Sequence, residues 1–184
     1  MHDNFDAVLA VTLKFEGGYV DNKFDPGGAT NMGITLKTLE QHRRRPVSKA
    51  EVMALSRAEA AEIYAKTYWH VIGGDDLPPG VDMALFDYAV NSGTSRAIRA
   101  LQSALGIAPD GALGPTTLAA VKTKPVESLI RKLCAARQGF LQHLTTFRVF
   151  GRGWSARIAA VETAALHMAQ TQLGQTCPQP QNPA

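Results

Sequence analysis

NFDAVLAVTLKFEGGYVDNKFDPGGATNMGIT, residues 4–35, is the stretch from which the fold can be read. Asn4 stands where a helix N-cap belongs, and Phe5, Val8, Leu9 and Leu13 follow at helical spacing, so residues 4–15 carry one apolar face. Gly17 and Gly18 come where a helix is commonly stopped. Glu16 therefore falls on the last turn, where the negative end of the helix dipole disfavours an ionised carboxylate. From Gly17 to Gly33 the spacing predicts a glycine-rich loop or short hairpin, with DPGG at 25–28 as a turn signal.

Outward from this stretch the pattern stays helical. TLKTLEQHRRR (35–45) and SKAEVMAL (48–55) read as short helices separated by Pro46. SRAEAAEIYAKTYWHVI (56–72) opens with Ser56 and Glu59 in a capping-box pattern and has an apolar face through Ala60, Ile63 and Tyr64. VDMALFDYAVN (81–91) and TSRAIRALQSAL (94–105) read as two helices about a break at Ser92-Gly93. GIAPDGALGPTT (106–117) is a second turn-rich loop, and residues 125–149 and 154–172 are long and amphipathic. No segment alternates over strand length and no repeat of fixed period occurs, so the class is all-α, with at most a short hairpin after the first helix. The chain divides into 1–105, a core, and 106–173, a helical segment packed on it. Residues 174–184 form a Pro/Gln-rich tail predicted to be disordered.

The 184 residues, 45% of them hydrophobic, suffice for one sizeable core. The net charge of +3 is unevenly placed: residues 1–121 sum to −3 and residues 122–184 to +6. A basic second half suits an anionic polymer, or is a solvated helix face. Nucleic-acid binding is disfavoured, because no DNA-reading motif accompanies the charge. Cys134 lies in an apolar helical run and Cys177 in the tail, which makes no disulfide framework, and pairing of the two is left open. MHDNFDAVLAV lacks the basic n-region and cleavage site of a Sec signal, and no apolar stretch nears the roughly 20 residues that span a bilayer. Synthesis as a soluble cytoplasmic chain and a monomeric state are expected.

Glu16 precedes Asp25 by nine residues, and Thr30 follows five later. Two carboxylates and a hydroxyl-held water can cleave a glycosidic bond, one acid protonating the leaving oxygen while the second group steadies the oxocarbenium ion or activates water. The same residues can equally be turn-stabilising acceptors, with the glycines merely turning the chain. The five histidines show no metal-ligand spacing, so no metal or other cofactor is expected.

EGGYVDNKFDPGGATNMGIT (16–35) resembles the signature of glycoside hydrolase family 108, lysozyme-like N-acetylmuramidases also described as secretion activators. It departs by one residue from the wider phage-lysozyme spacing, with four residues between Asp25 and Thr30 where that arrangement has five. AEIYAKTYWHVIGGDDLPPGVDMALFDYAVNSG (61–93) is similar to the family's far cleft wall, and LQSALGIAPDGALGPTTLAAV (101–121) to the peptidoglycan-binding segment that follows such domains. The resemblance implies a lysozyme-like α+β variant in which residues 1–105 are a muramidase core and 106–173 bind peptidoglycan. It makes Glu16 the catalytic acid and Asp25 and Thr30 candidates for placing water or stabilising charge. Tyr19, Asn31, Trp69, Tyr88 and Asn91 become candidates for sugar contact, since aromatic faces and amides suit pyranose rings and N-acetyl groups. Trp69 and Tyr88 can instead be core and Asn91 a helix cap, and outside this set Asp110-Gly111 reads as a turn and His70 as a satisfied boundary residue. The implied partner is the peptidoglycan glycan strand, reached through a holin or a secretion machinery. A lytic transglycosylase and a non-catalytic wall-binding protein that assists secretion remain alternatives.

Overall fold

In the computed structural model, residues 4–21 and 28–176 are described, with side chains to residue 171, and they form nine α-helices and one two-stranded antiparallel hairpin. The first helix, α1, spans Phe5–Glu16. Asn4 stands at its N-cap position but has helical dihedrals and makes no capping bond. Its amide instead donates to Asp82 Oδ2 at 3.0 Å, tying the start of α1 to another helix.

After α1 the chain returns through paired backbone bonds between Val20 and Thr30 into the hairpin of β1 (Thr30–Asn31) and β2 (Ile34–Thr35). Met32 and Gly33 form its two-residue turn, both with positive φ, as the right-handed twist of a tight hairpin demands. Glycine meets that demand freely, whereas Met32 at φ 47° occupies a conformation uncommon for its type.

Three short helices follow: α2 (Leu36–Arg43), α3 (Lys49–Met53) and α4 (Arg57–Tyr64). The full capping box lies at Ser48–Glu51. At Ser56 only half of the expected box forms: Ser56 accepts from the Glu59 amide, while the Glu59 carboxylate turns to Arg43. One π-helical turn, Ala65–Trp69, continues α4. It sends Tyr68 toward a groove and its neighbour Trp69 into the core.

The centre of the molecule is α5 (Val81–Ser92), whose first nine residues are all buried. A helix this apolar on every side must be surrounded, and α5 packs against α1, α6 (Thr94–Leu105), α8 (Val126–Gln142) and α9 (Phe147–Thr176). The loop expected at 106–117 is shorter than expected, because α7 (Pro115–Val121) begins at Pro115, a favoured residue at the first helical position. Asp110 builds the turn before it, accepting from the Ala112 amide and from buried Gln102. The long C-terminal helix passes through Gly151 and Gly153 without a break and runs to Thr176, three residues into the stretch assigned to the tail. Residues 177–184 lie outside the described residues.

Candidate active site

Glu16 is the last residue of α1, and the helix delivers its carboxylate to the hairpin turn. The two are so close that a Cβ placed on Gly33 would lie 2.8 Å from Glu16 Oε2 and 2.5 Å from the Tyr64 hydroxyl. The Tyr64 hydroxyl donates to the Met32 carbonyl at 2.9 Å, which pins the turn against α4. A groove leads away from this point, lined by Gly33, Tyr64, Tyr68, Thr67, Thr38 and Gln41, and a second hollow bounded by His42 and Lys66 continues it. Burial, and after it the nearby Glu16 charge, pushes the ionisation of Tyr64 and Tyr68 upward. Both phenols are therefore neutral at the groove, Tyr64 with its hydrogen already given to the Met32 carbonyl.

The other side of Glu16 is closed by α9. Arg157 Nη2 donates to Glu16 Oε1 at 2.7 Å, and the guanidinium lies 5.3 Å from the Phe15 ring centroid. The same nitrogen donates to Asp87 Oδ1 at 2.7 Å, while Arg157 Nε donates to Asp87 Oδ2 at 3.0 Å. Asp87 on α5 also accepts from Arg137 Nη1 at 2.6 Å and from the Thr12 hydroxyl at 3.0 Å. Burial alone would raise the Asp87 carboxyl, but the hydrogen bonds and charges of Arg157 and Arg137 outweigh it and hold the group below the usual range. Two acidic side chains and two guanidiniums thus meet in one cluster, in which the Glu16 side chain keeps 18% exposure and Asp87 has none. Arg137 Nε and Nη2 are buried without a hydrogen-bond partner among the described residues.

The remaining sequence candidates scatter. Asn31 is buried and its Nδ2 donates to the Val52 and Met53 carbonyls, so its amide nitrogen anchors the hairpin to the end of α3. Trp69 and Tyr88 are each 2% exposed. The Trp69 indole packs against Phe5 and Phe86 and donates to Asp75, and Tyr88 lies beneath Arg137, so neither presents a face for a sugar to stack on. The apolar helix faces on which they stand serve packing instead. Thr30 is half-buried in β1, with its hydroxyl 3.5 Å from the Gly28 carbonyl, at the limit of a hydrogen bond. Tyr19 is half-buried against the core, and Asn91, at the end of α5, accepts from the Ser92 hydroxyl. Asp25 lies outside the described residues. Among the described residues no group of three His, Cys, Asp or Glu side chains could hold a metal ion, and no helix is long and apolar enough to cross a membrane.

Residues 9–93 match the family model described as glycosyl hydrolase 108, and residues 96–159 match the model of a predicted peptidoglycan domain. The structure of Brucella abortus SagA superposes with a TM-score of 0.82 at 46% sequence identity, covering 92% of this chain and 97% of that one. This chain belongs to the glycosyl hydrolase 108 family. The comparison with curated proteins returns no match. The family boundary falls between α5 and α6, so Glu16, Gly33, Tyr64 and Asp87 stand on the glycosyl hydrolase side, while Arg137 and Arg157 stand on the peptidoglycan side. The groove is thus lined by the first matched segment alone, while Glu16 at its edge is held by an arginine of the second, and peptidoglycan is the partner that the second segment supports.

Sequence reasoning missed Arg157, Asp87 and Arg137. Asp87 did leave a signal, a carboxylate inside the apolar run MALFDYAV, because a charge enclosed on all sides must be paired. The arginines left none, since α8 and α9 carry several others on their exposed faces.

Proposed function

We propose that this protein is an N-acetylmuramidase, cleaving the β-1,4 bond between N-acetylmuramic acid and N-acetylglucosamine in peptidoglycan with Glu16 as general acid. The observation that carries this reading is the Glu16 carboxylate, held on one oxygen by Arg157 and standing with the other at the head of a groove beside Gly33 and Tyr64. A proton on Oε2 can pass to the glycosidic oxygen of a strand lying in that groove. As it leaves, negative charge develops on Glu16, and Arg157 already stands in place to meet it, the form of stabilisation that costs no reorganisation at the moment of reaction. Tyr68, half-buried on the groove wall, offers its hydroxyl and ring edge to the sugar, while buried Tyr64 holds the turn in place. Gly33 lets the backbone of the turn come close to the acid without a side chain between. Asp25 is the candidate second carboxylate and Thr30 the candidate water-holding hydroxyl, following the family motif. The enzyme works on the wall after release by a holin or a dedicated secretion route.

The test is to incubate purified protein and its Glu16→Gln variant with peptidoglycan sacculi and to read the soluble fragments by mass spectrometry. Fragments with reducing N-acetylmuramic acid ends, from the wild type alone, are the expected result. Anhydro ends would make the enzyme a lytic transglycosylase. Sacculi bound but uncut by both proteins would leave a wall-binding protein without catalysis.

A further inference from the structure

The segment matched to the peptidoglycan model does more to the glycosyl hydrolase site than lie beside it. Arg157 reaches from α9 to the last residue of α1, across 141 positions of sequence. A planar guanidinium that grips a carboxylate through Nε and Nη2 has its plane fixed by that grip. Asp87 provides the grip here, and its own position is set by Arg137 from α8 and Thr12 from α1. The second hydrogen of Nη2 is then aimed in one direction, and Glu16 Oε1 lies there at 2.7 Å. Asp87 and Arg157 would satisfy each other without Glu16. Glu16 is the most exposed member, and its Oε2 lies against Gly33 at the groove's edge, so the fixed guanidinium sets which carboxylate oxygen faces that edge.

We infer that Arg157 is a positioning residue for Glu16, and that Asp87 holds it in that role. The inference rests on the muramidase reading above for the step that Arg157 serves. Lysine cannot substitute for it fully, because a single ammonium on a flexible stem cannot both fork onto Asp87 and meet Glu16 along a fixed line.

The experiment compares Arg157→Lys and Arg157→Ala with wild type, measuring muropeptide release, affinity for sacculi and thermal unfolding. Loss of one preorganised donor commonly lowers kcat by about 10²–10³-fold, and a loss in that range is expected for Arg157→Ala, with sacculus affinity unchanged. Added ethylguanidinium should restore part of the rate saturably, which a merely loosened fold would not do. Arg157→Lys should retain the wild-type melting behaviour more closely, yet lose at least about tenfold in kcat. A folded Arg157→Lys or Arg157→Ala protein with wild-type kcat overturns the inference. Should Arg157→Ala fail to fold, Arg157→Lys decides it. A further readout is independent of turnover: the ¹³C carboxyl resonance of Glu16, assigned with Glu16→Gln, should move in Arg157→Lys. If wild type releases no fragments, the muramidase reading falls, and this resonance alone decides, an unmoved signal overturning the positioning role.

Discussion

At the scale of single residues, Gly33 carries more than any sequence pattern assigns to it. Its φ of +73° is costly for other residue types, and a methyl group there would also meet Tyr64 and Glu16. Gly33→Ala should therefore cost about 1–3 kcal/mol in urea unfolding, and should lower kcat beyond what that loss explains, because the added Cβ displaces the Glu16 carboxylate. A variant with wild-type kcat would show that the turn and the acid move independently. The place of Glu16 at the end of α1 was legible because a glycine pair that stops a helix is a local feature. Arg157 was illegible because its role depends on which face of α9 meets α1, a tertiary fact without a short-range signature. Trp69 and Asn31 show the converse: residue types that suit sugars also suit cores and helix ends, and their neighbours in space decide between the two.

At the scale of elements, α2, α3 and α4 are joined by one side chain. Arg43 donates to Glu59 through Nε and Nη2 and to Glu51 through Nη1, and Arg45 adds a 2.6 Å bond to Glu51. The Arg45 bond, aided by the Ser48 amide and hydroxyl, lowers the Glu51 carboxyl to about 2, and the Arg43 bond lowers that of Glu59. Folded-state values below the ordinary 4.5 mean that both groups stabilise the fold above that pH. That contribution should fade as pH falls toward 2. The melting temperature should accordingly drop between pH 5 and pH 2, and Arg43→Met should flatten that drop while lowering stability at neutral pH. Equal slopes in the two proteins would assign the acid sensitivity elsewhere. The helices themselves were legible from period and caps, but the partner of Glu59 was not, since the capping-box pattern gave that carboxylate a local use and the fold gave it a distant one.

At the scale of the whole molecule, Asp87 is where four helices meet: Thr12 from α1, Asp87 from α5, Arg137 from α8 and Arg157 from α9. Removing one partner from a buried ion cluster commonly costs about 3–5 kcal/mol, because the charges left behind stay out of water. Asp87→Ala should lose about that much in denaturant unfolding, and a loss below about 1 kcal/mol would show that the arginines find other partners. The all-helical class was legible because no stretch alternates, and the central place of α5 follows from its apolar surface. How the two matched segments share one site was not legible, because each reads as complete in sequence. Their sharing also has a consequence in time. A ribosome adds roughly 5–20 residues per second, so the arginine that meets Glu16 is made roughly 7–30 s after it. Until the last helix emerges and folds back, the growing chain holds an acid with no guanidinium to aim it. The cluster around Asp87, which joins α1, α5, α8 and α9, can therefore close only after Arg157 has been made.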